Sequence, residues 1–253
     1  MKNPDAFYVG YHPRMPRELA PFVRNAVLLL LLGVAALAVV VPVLHDAYPV
    51  ALSEWPTQRN FVGILQASPA PHLVVARPGT GSDRRSSRYV LVGQGKTGPI
   101  IDVSGLDGKP TRVRGWLVFR GAQTLIATVS AEEIPATESG LPVEPGGGES
   151  LGTMTLRGEI VDSKCYFGTM RPGNSKVHRG CAARCISGGV PPIFISRDPA
   201  GNEVAFLIVA TDGSAVNQRV LHLVAEPLEI TGKVVRLGDA FVIKTDPETY
   251  RRL

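Results

Sequence analysis

Nineteen residues without a charge, Ala26 to Leu44 (AVLLLLLGVAALAVVVPVL), set the first boundary on what this chain can fold into. At 1.5 Å per residue, a helix of that length is about 28 Å long, close to the hydrocarbon thickness of a bilayer. A helix buried in a soluble core keeps a polar face, and this run has none. A cleaved signal peptide has a shorter apolar stretch behind a shorter basic start. Here 25 residues precede the run and no clear A-x-A site follows it, so the segment predicts a retained membrane anchor. Pro42 lies near its far end, where a kink is tolerated.

The flanks predict an orientation. Lys2, Arg14, Arg17 and Arg24 precede the run, and the next Lys or Arg is Arg59. By the positive-inside rule, residues 1–25 are cytoplasmic and the large C-terminal part is outside. Tyr48 and Trp55 suit the outer interface. In a bacterium this means the inner membrane, a single pass and periplasmic C-terminal domains. The lipid bilayer is then one partner, and a membrane or periplasmic protein complex is the other. The net charge of +5 and pI near 9.3 do not point to nucleic acid. Part of the excess sits before the anchor, and no basic stripe alternates with aromatics. The run Asp83-Arg84-Arg85-Ser86-Ser87-Arg88 reads as a solvated loop.

About 200 residues follow, enough for one or two small domains. A stretch rich in Pro, Gly and Glu, 138–149, reads as a linker between 56–137 and 150–250. The two halves look like a diverged repeat. Asn60–Gln66 matches Thr155–Val161, and Arg88–Val92 matches Val204–Val209. Each half then ends in a hairpin: Thr111–Phe119 with Gln123–Val129, and Leu228–Arg236 with Ala240–Thr245. Arg120-Gly121 and Leu237-Gly238-Asp239 are the turns. Gly115 and Gly232 fall at equivalent mid-strand positions, where glycine marks a bend. The expected class is therefore mainly β, with two small OB-like barrels of about five strands each. A pair of sandwiches would need more strands.

The second half alone carries an insertion, 162–192, between its first and second strands. It holds all three cysteines, Cys165, Cys181 and Cys185, together with His178. On a short helix over 177–187, His178, Cys181 and Cys185 share one face. Cys165 arrives from the preceding strand. Three readings follow. An oxidising compartment favours a disulfide from Cys165 to Cys181 or Cys185, leaving one odd thiol. Alternatively, Cys165, His178, Cys181 and Cys185 hold zinc or copper. Third, Lys164, Arg179 and Arg184 activate a thiol for exchange. The disulfide is the leading expectation. A covalent c-type haem needs C-x-x-C-H, and Ile186 follows Cys185. There is no phosphate-binding glycine motif. Asp162 and Glu159 read as solvated strand-end charges, His72 as a loop residue and His222 as a satisfied strand or helix histidine.

The stretch Leu156-Arg-Gly-Glu-Ile-Val-Asp-Ser-Lys-Cys-Tyr-Phe-Gly, with His178-Arg-Gly-Cys and Cys185-Ile-Ser-Gly-Gly-Val-Pro-Pro, resembles a family of uncharacterised bacterial membrane-anchored proteins. Phe7-Tyr-Val-Gly-Tyr-His-Pro-Arg-Met-Pro is similar to that family's start. The resemblance implies an inner-membrane protein with an extracytoplasmic β domain and brings no activity with it. The residues themselves favour a non-enzymatic accessory or assembly module of a redox or metalloenzyme system. A zinc or copper carrier or sensor is the second expectation, and a thiol–disulfide enzyme the third. The third lacks both C-x-x-C and a βαβ pattern.

Overall fold

A computed structural model describes residues 16–46, 51–77, 86–121, 123–139 and 148–253. Several sequence readings fall outside these residues: 1–15 with Lys2 and Arg14, Tyr48, Asp83–Arg85 and most of the linker.

The uncharged run lies in a single helix, α1, Ala20–Asp46, which begins six residues before it. Its span Ala20–Leu44 is long and apolar enough to cross a membrane, and none of it is buried against protein. Pro42 is accommodated inside it.

The rest, Val50–Leu253, is one compact unit built from two closed five-strand barrels. A short strand β1 (Ala51–Ser53) precedes the first, which consists of β2 (Arg59–Gln66), β3 (His72–Ala76), β4 (Ser86–Val92), a helical turn α2 (Val103–Leu106), β5 (Pro110–Arg120) and β6 (Gln123–Glu133). The second has β7 (Glu149–Asp162), α3 (Ser175–Ser187), β8 (Pro192–Arg197), β9 (Glu203–Val209), β10 (Leu228–Leu237) and β11 (Ala240–Lys244), with a terminal β12 (Arg251–Arg252). Both close in the same order. The first strand pairs with the second and fourth, the second with the third, and the third runs parallel to the fifth. This is OB topology, repeated.

The hairpin turns lie where the sequence put them, because Gly121 (φ +57°) and Gly238 (φ +60°) supply the left-handed backbone. At Gly115 the β5–β6 register shifts by a bulge, and a Cβ there would lie 2.3 Å from the Ala127 carbonyl oxygen. Each barrel has its own core. Leu65, Leu73, Leu91, Val113 and Ile126 fill the first. Ile160, Phe194, Ile208, Leu228 and Ile230 lead the second, where Ala182 and Ile186 of α3 join them. A third cluster lies between the barrels. Val92, Trp116 and Val118 meet Val161, Ile193 and Leu207 there, with Cys165, Tyr166, Phe167 and Cys185 from the insertion.

Two local expectations change. Ser86–Arg88 form the start of β4 and are not loop. His72 opens β3 and is buried, with Nδ1 donating to the Ala70 carbonyl at 2.8 Å. Burial pushes its pKa down from 6.5 to about 4, with the Ala70 bond acting in the opposite direction. The unfolded chain therefore takes up a proton that the folded chain refuses. The corresponding stability is intact above about pH 6.5, declines as the pH falls, and is down by about 3 kcal/mol near pH 4. Urea unfolding of wild type and His72→Gln at pH 7 and pH 4 measures this as a shift in their difference toward the variant. A pH-independent difference refutes it.

Candidate metal centre

The site is built from the insertion after β7. That strand ends at Asp162, which is fully buried, and its Oδ1 accepts from the Cys165 N–H at 2.8 Å. This bond turns the chain into a single π-helical turn, Cys165–Thr169. Gly173 (φ +71°) then brings the chain back toward Cys165, where the Ser175 N–H donates to Glu159 Oε2 at 2.9 Å and α3 begins. Ala182 and Ala183 favour helix, and Gly188 and Gly189 end it.

On α3 the spacing predicted by sequence holds. His178 and Cys185 are buried and Cys181 is half-buried at the site's edge. Cys165 stands at the centre, its Sγ 3.9 Å from Cys181 Sγ and 4.0 Å from Cys185 Sγ. A ring nitrogen of His178 lies within 4.8 Å of both Cys165 and Cys181 sulfurs. Asp162, Cys165 and Cys185 form a second group of the same compactness. The structure thus places Cys165 with His178 and Cys181 in one group and with Cys185 in the other.

The expected disulfide is not formed: all three cysteines are free. A bonded pair needs about 2.05 Å, and the distances found are nearly twice that. The physical reason is placement. Cys165 sits equally far from two partners, as members of a ligand set do and as a bonded pair does not. Two thiolates on a tetrahedral zinc with Zn–S near 2.3 Å are about 3.8 Å apart, which is close to the geometry observed.

Asp162 corrects a second expectation. It is no solvated strand end: its Oδ2 lies 3.1 Å from His178 Nε2. A carboxylate on one ring nitrogen fixes the tautomer and leaves the other nitrogen as the lone-pair donor. His222, by contrast, is exposed on a 3₁₀ turn away from the cluster. Arg179 is held by Glu226 at 2.5 Å.

The first barrel contributes what the sequence did not reveal. Its loop Gly93–Gly98 covers the cluster, and Lys96 Nζ lies 3.0 Å from Cys181 Sγ. From the other side, buried Lys164 donates to the carbonyls of Gly93, Gln94 (2.6 Å) and Gly95 (2.9 Å). The Gly98 N–H donates to the Gly188 carbonyl at 2.9 Å. The only signal in the sequence was a lysine in a glycine-rich turn, which says nothing of where the turn docks.

The buried thiols differ in acidity. The hydrogen bond between Cys165 and Cys185 raises the Cys165 pKa, and burial and Asp162 raise it further. The same bond lowers Cys185, against burial and with help from Lys96. The shared hydrogen bond thus favours the proton on Cys165 over Cys185. The bond to Cys181 raises the Lys96 pKa, keeping it an ammonium.

Comparison with protein-family models, with curated proteins and with solved structures finds no match.

Proposed function

We propose that the chain is a membrane-tethered, extracytoplasmic metal-binding module, serving a larger metalloenzyme or redox system as a non-enzymatic accessory or assembly component. The site holds one zinc ion through Cys165, Cys181, Cys185 and His178. The observation that carries this is the Cys165 sulfur, equidistant from two others at the spacing of thiolates sharing a metal. Four protein donors complete a tetrahedron, the mark of a structural or carrier site; a catalytic zinc keeps a position open for water.

Charge favours zinc over copper(I). Three thiolates, the Asp162 carboxylate and the Lys96 and Lys164 ammonium groups leave two negative charges in the site. A divalent ion cancels both, whereas copper(I) leaves one. Burying unbalanced charge is costly. Arg17 before α1 and Arg24 near its start support a cytoplasmic N-terminal side and periplasmic barrels at a bacterial inner membrane. In that oxidising space a bound d¹⁰ ion also protects three neighbouring thiols.

The test is metal content together with thiol counting on protein extracted gently from its native membrane. The expected result is one zinc per chain and thiols that titrate only after chelation, with a larger complex co-purifying. Less than about a tenth of an equivalent of any metal with thiols reduced, or a mass showing a disulfide, overturns the metal reading. Copper in place of zinc overturns the charge argument. A clean monomer overturns the accessory role.

A further inference from the structure

A groove of about 710 Å³ runs between the Gln66–His72 loop of the first barrel and β10 and β11 of the second. Val235, Leu237 and Val242 give it an apolar floor, and Lys233 and Lys244 line it. The two lysines are directly opposed in register across the β10–β11 hairpin. Side chains at opposed positions leave the same face of a sheet, and like charges placed there repel. Among the described residues, neither ammonium has an ion pair or hydrogen bond. The groove's own carboxylate, Asp212, is engaged by the Ser214 N–H (2.9 Å) and hydroxyl (2.7 Å). The guanidinium of Arg88, also in the lining, is balanced by Asp239. Two ammonium groups without an ion pair therefore face this groove, beside one hydrogen-bonded carboxylate.

The wall supplies a complementary group. His72 lines the groove and is 4% exposed, and its Nε2 is buried with no partner. Because Nδ1 donates to Ala70, Nε2 is a bare acceptor. A buried polar atom without a partner costs free energy until something bonds to it. The groove thus suits an anionic group with a hydrogen-bond donor close to it. A phosphate monoester carries about −1.5 to −2 at pH 7, and in a glycerol or sugar phosphate hydroxyls stand beside it.

We propose that this inter-barrel groove binds a phosphate monoester, its dianion between Lys233 and Lys244 and a ligand hydroxyl on His72 Nε2. The site uses none of the cysteine cluster's residues and stands whether or not that cluster holds metal. The same chemistry occurs in a soluble ester and in a lipid headgroup, and the experiment separates the two.

Full-length protein in neutral detergent is titrated calorimetrically with glycerol 3-phosphate, methyl phosphate and hexanoyl lysophosphatidic acid, a soluble short-chain lipid that keeps one free glycerol hydroxyl. Glycerol 3-phosphate is expected to bind, and Lys233→Gln/Lys244→Gln to weaken it at least about tenfold, whereas Lys176→Gln on the exposed start of α3 leaves it unchanged. Methyl phosphate, lacking the hydroxyls, should bind several-fold more weakly. Tighter binding of the lysophosphatidic acid assigns a lipid headgroup, and tighter glycerol 3-phosphate assigns a soluble ester. No binding of any of the three at about 10 mM, or binding that survives the double substitution, overturns the proposal. Equal affinity for methyl and glycerol phosphates overturns the role of His72.

Discussion

Cys165→Ser is expected to weaken zinc binding by at least about a hundredfold, more than either helix cysteine replaced alone. The reason is position. Cys165 lies 3.9 and 4.0 Å from the two other sulfurs and belongs to both compact groupings of donors found among the described residues. Serine keeps the shape and loses the thiolate. Cys181, half-buried at the edge, leaves a three-donor set when removed. The loss should also appear as stability, since a ligand at about a hundred times its Kd stabilises the folded state by about 2.7 kcal/mol. Competition with a chromogenic chelator measures the affinity, and thermal unfolding measures the stability. Excess chelator is the internal control: it should lower the wild-type Tm to that of the variant. If wild type and Cys165→Ser unfold alike without chelator and bind zinc alike, the cluster is not a metal site.

The second large effect is expected from a methyl group. Gly188→Ala would place a Cβ 2.0 Å from the Lys96 carbonyl oxygen and 3.1 Å from its carbon. Both obstacles are backbone, so no side chain can rotate away, and the Gly93–Gly98 loop must lift from α3. The Gly98–Gly188 hydrogen bond and the Lys96–Cys181 contact go with it. A cost of about 2–4 kcal/mol follows from overpacking and a lost buried bond, with faster alkylation of Cys181. Gly180→Ala on the same helix is the contrast. Nothing lies within 4 Å of its Cβ, so it should be neutral, or stabilising by up to about 1 kcal/mol through helix propensity. Urea unfolding and iodoacetamide rates on the two variants decide it; equal behaviour would show that the loop does not close on the helix as described.

What the sequence showed was what short-range patterns encode. The uncharged run, the glycine turns at Gly121 and Gly238, and the i, i+3, i+4 face of α3 all depend on neighbours within a few residues. The barrels' second strands, β3 and β8, were not picked out. β3 follows a proline-rich stretch, and β8 opens on Pro192 and is nearly all buried, so it shows no alternation. The parallel β4–β6 and β9–β11 pairings that close the barrels join segments far apart in the chain. The candidate site divides in the same way. Its three cysteines and His178 were visible because they cluster in sequence, and the disulfide expectation rested on compartment alone. Asp162 looked solvated because nothing local revealed that α3 folds over it. Lys96 was invisible because 85 residues separate it from Cys181.

The apolar seam between the barrels changes what the linker means. Trp116 and Val118 from one side and Ile193 and Leu207 from the other are covered only while both barrels are present. A boundary drawn at 138–149 is therefore a boundary in sequence and not a place to cut. Separated there, the second half would keep its cysteines but present an oily face, and the first would lose the cover over its own. The copy without cysteines is thus no spare module: it is half the wall of its sibling's chemistry.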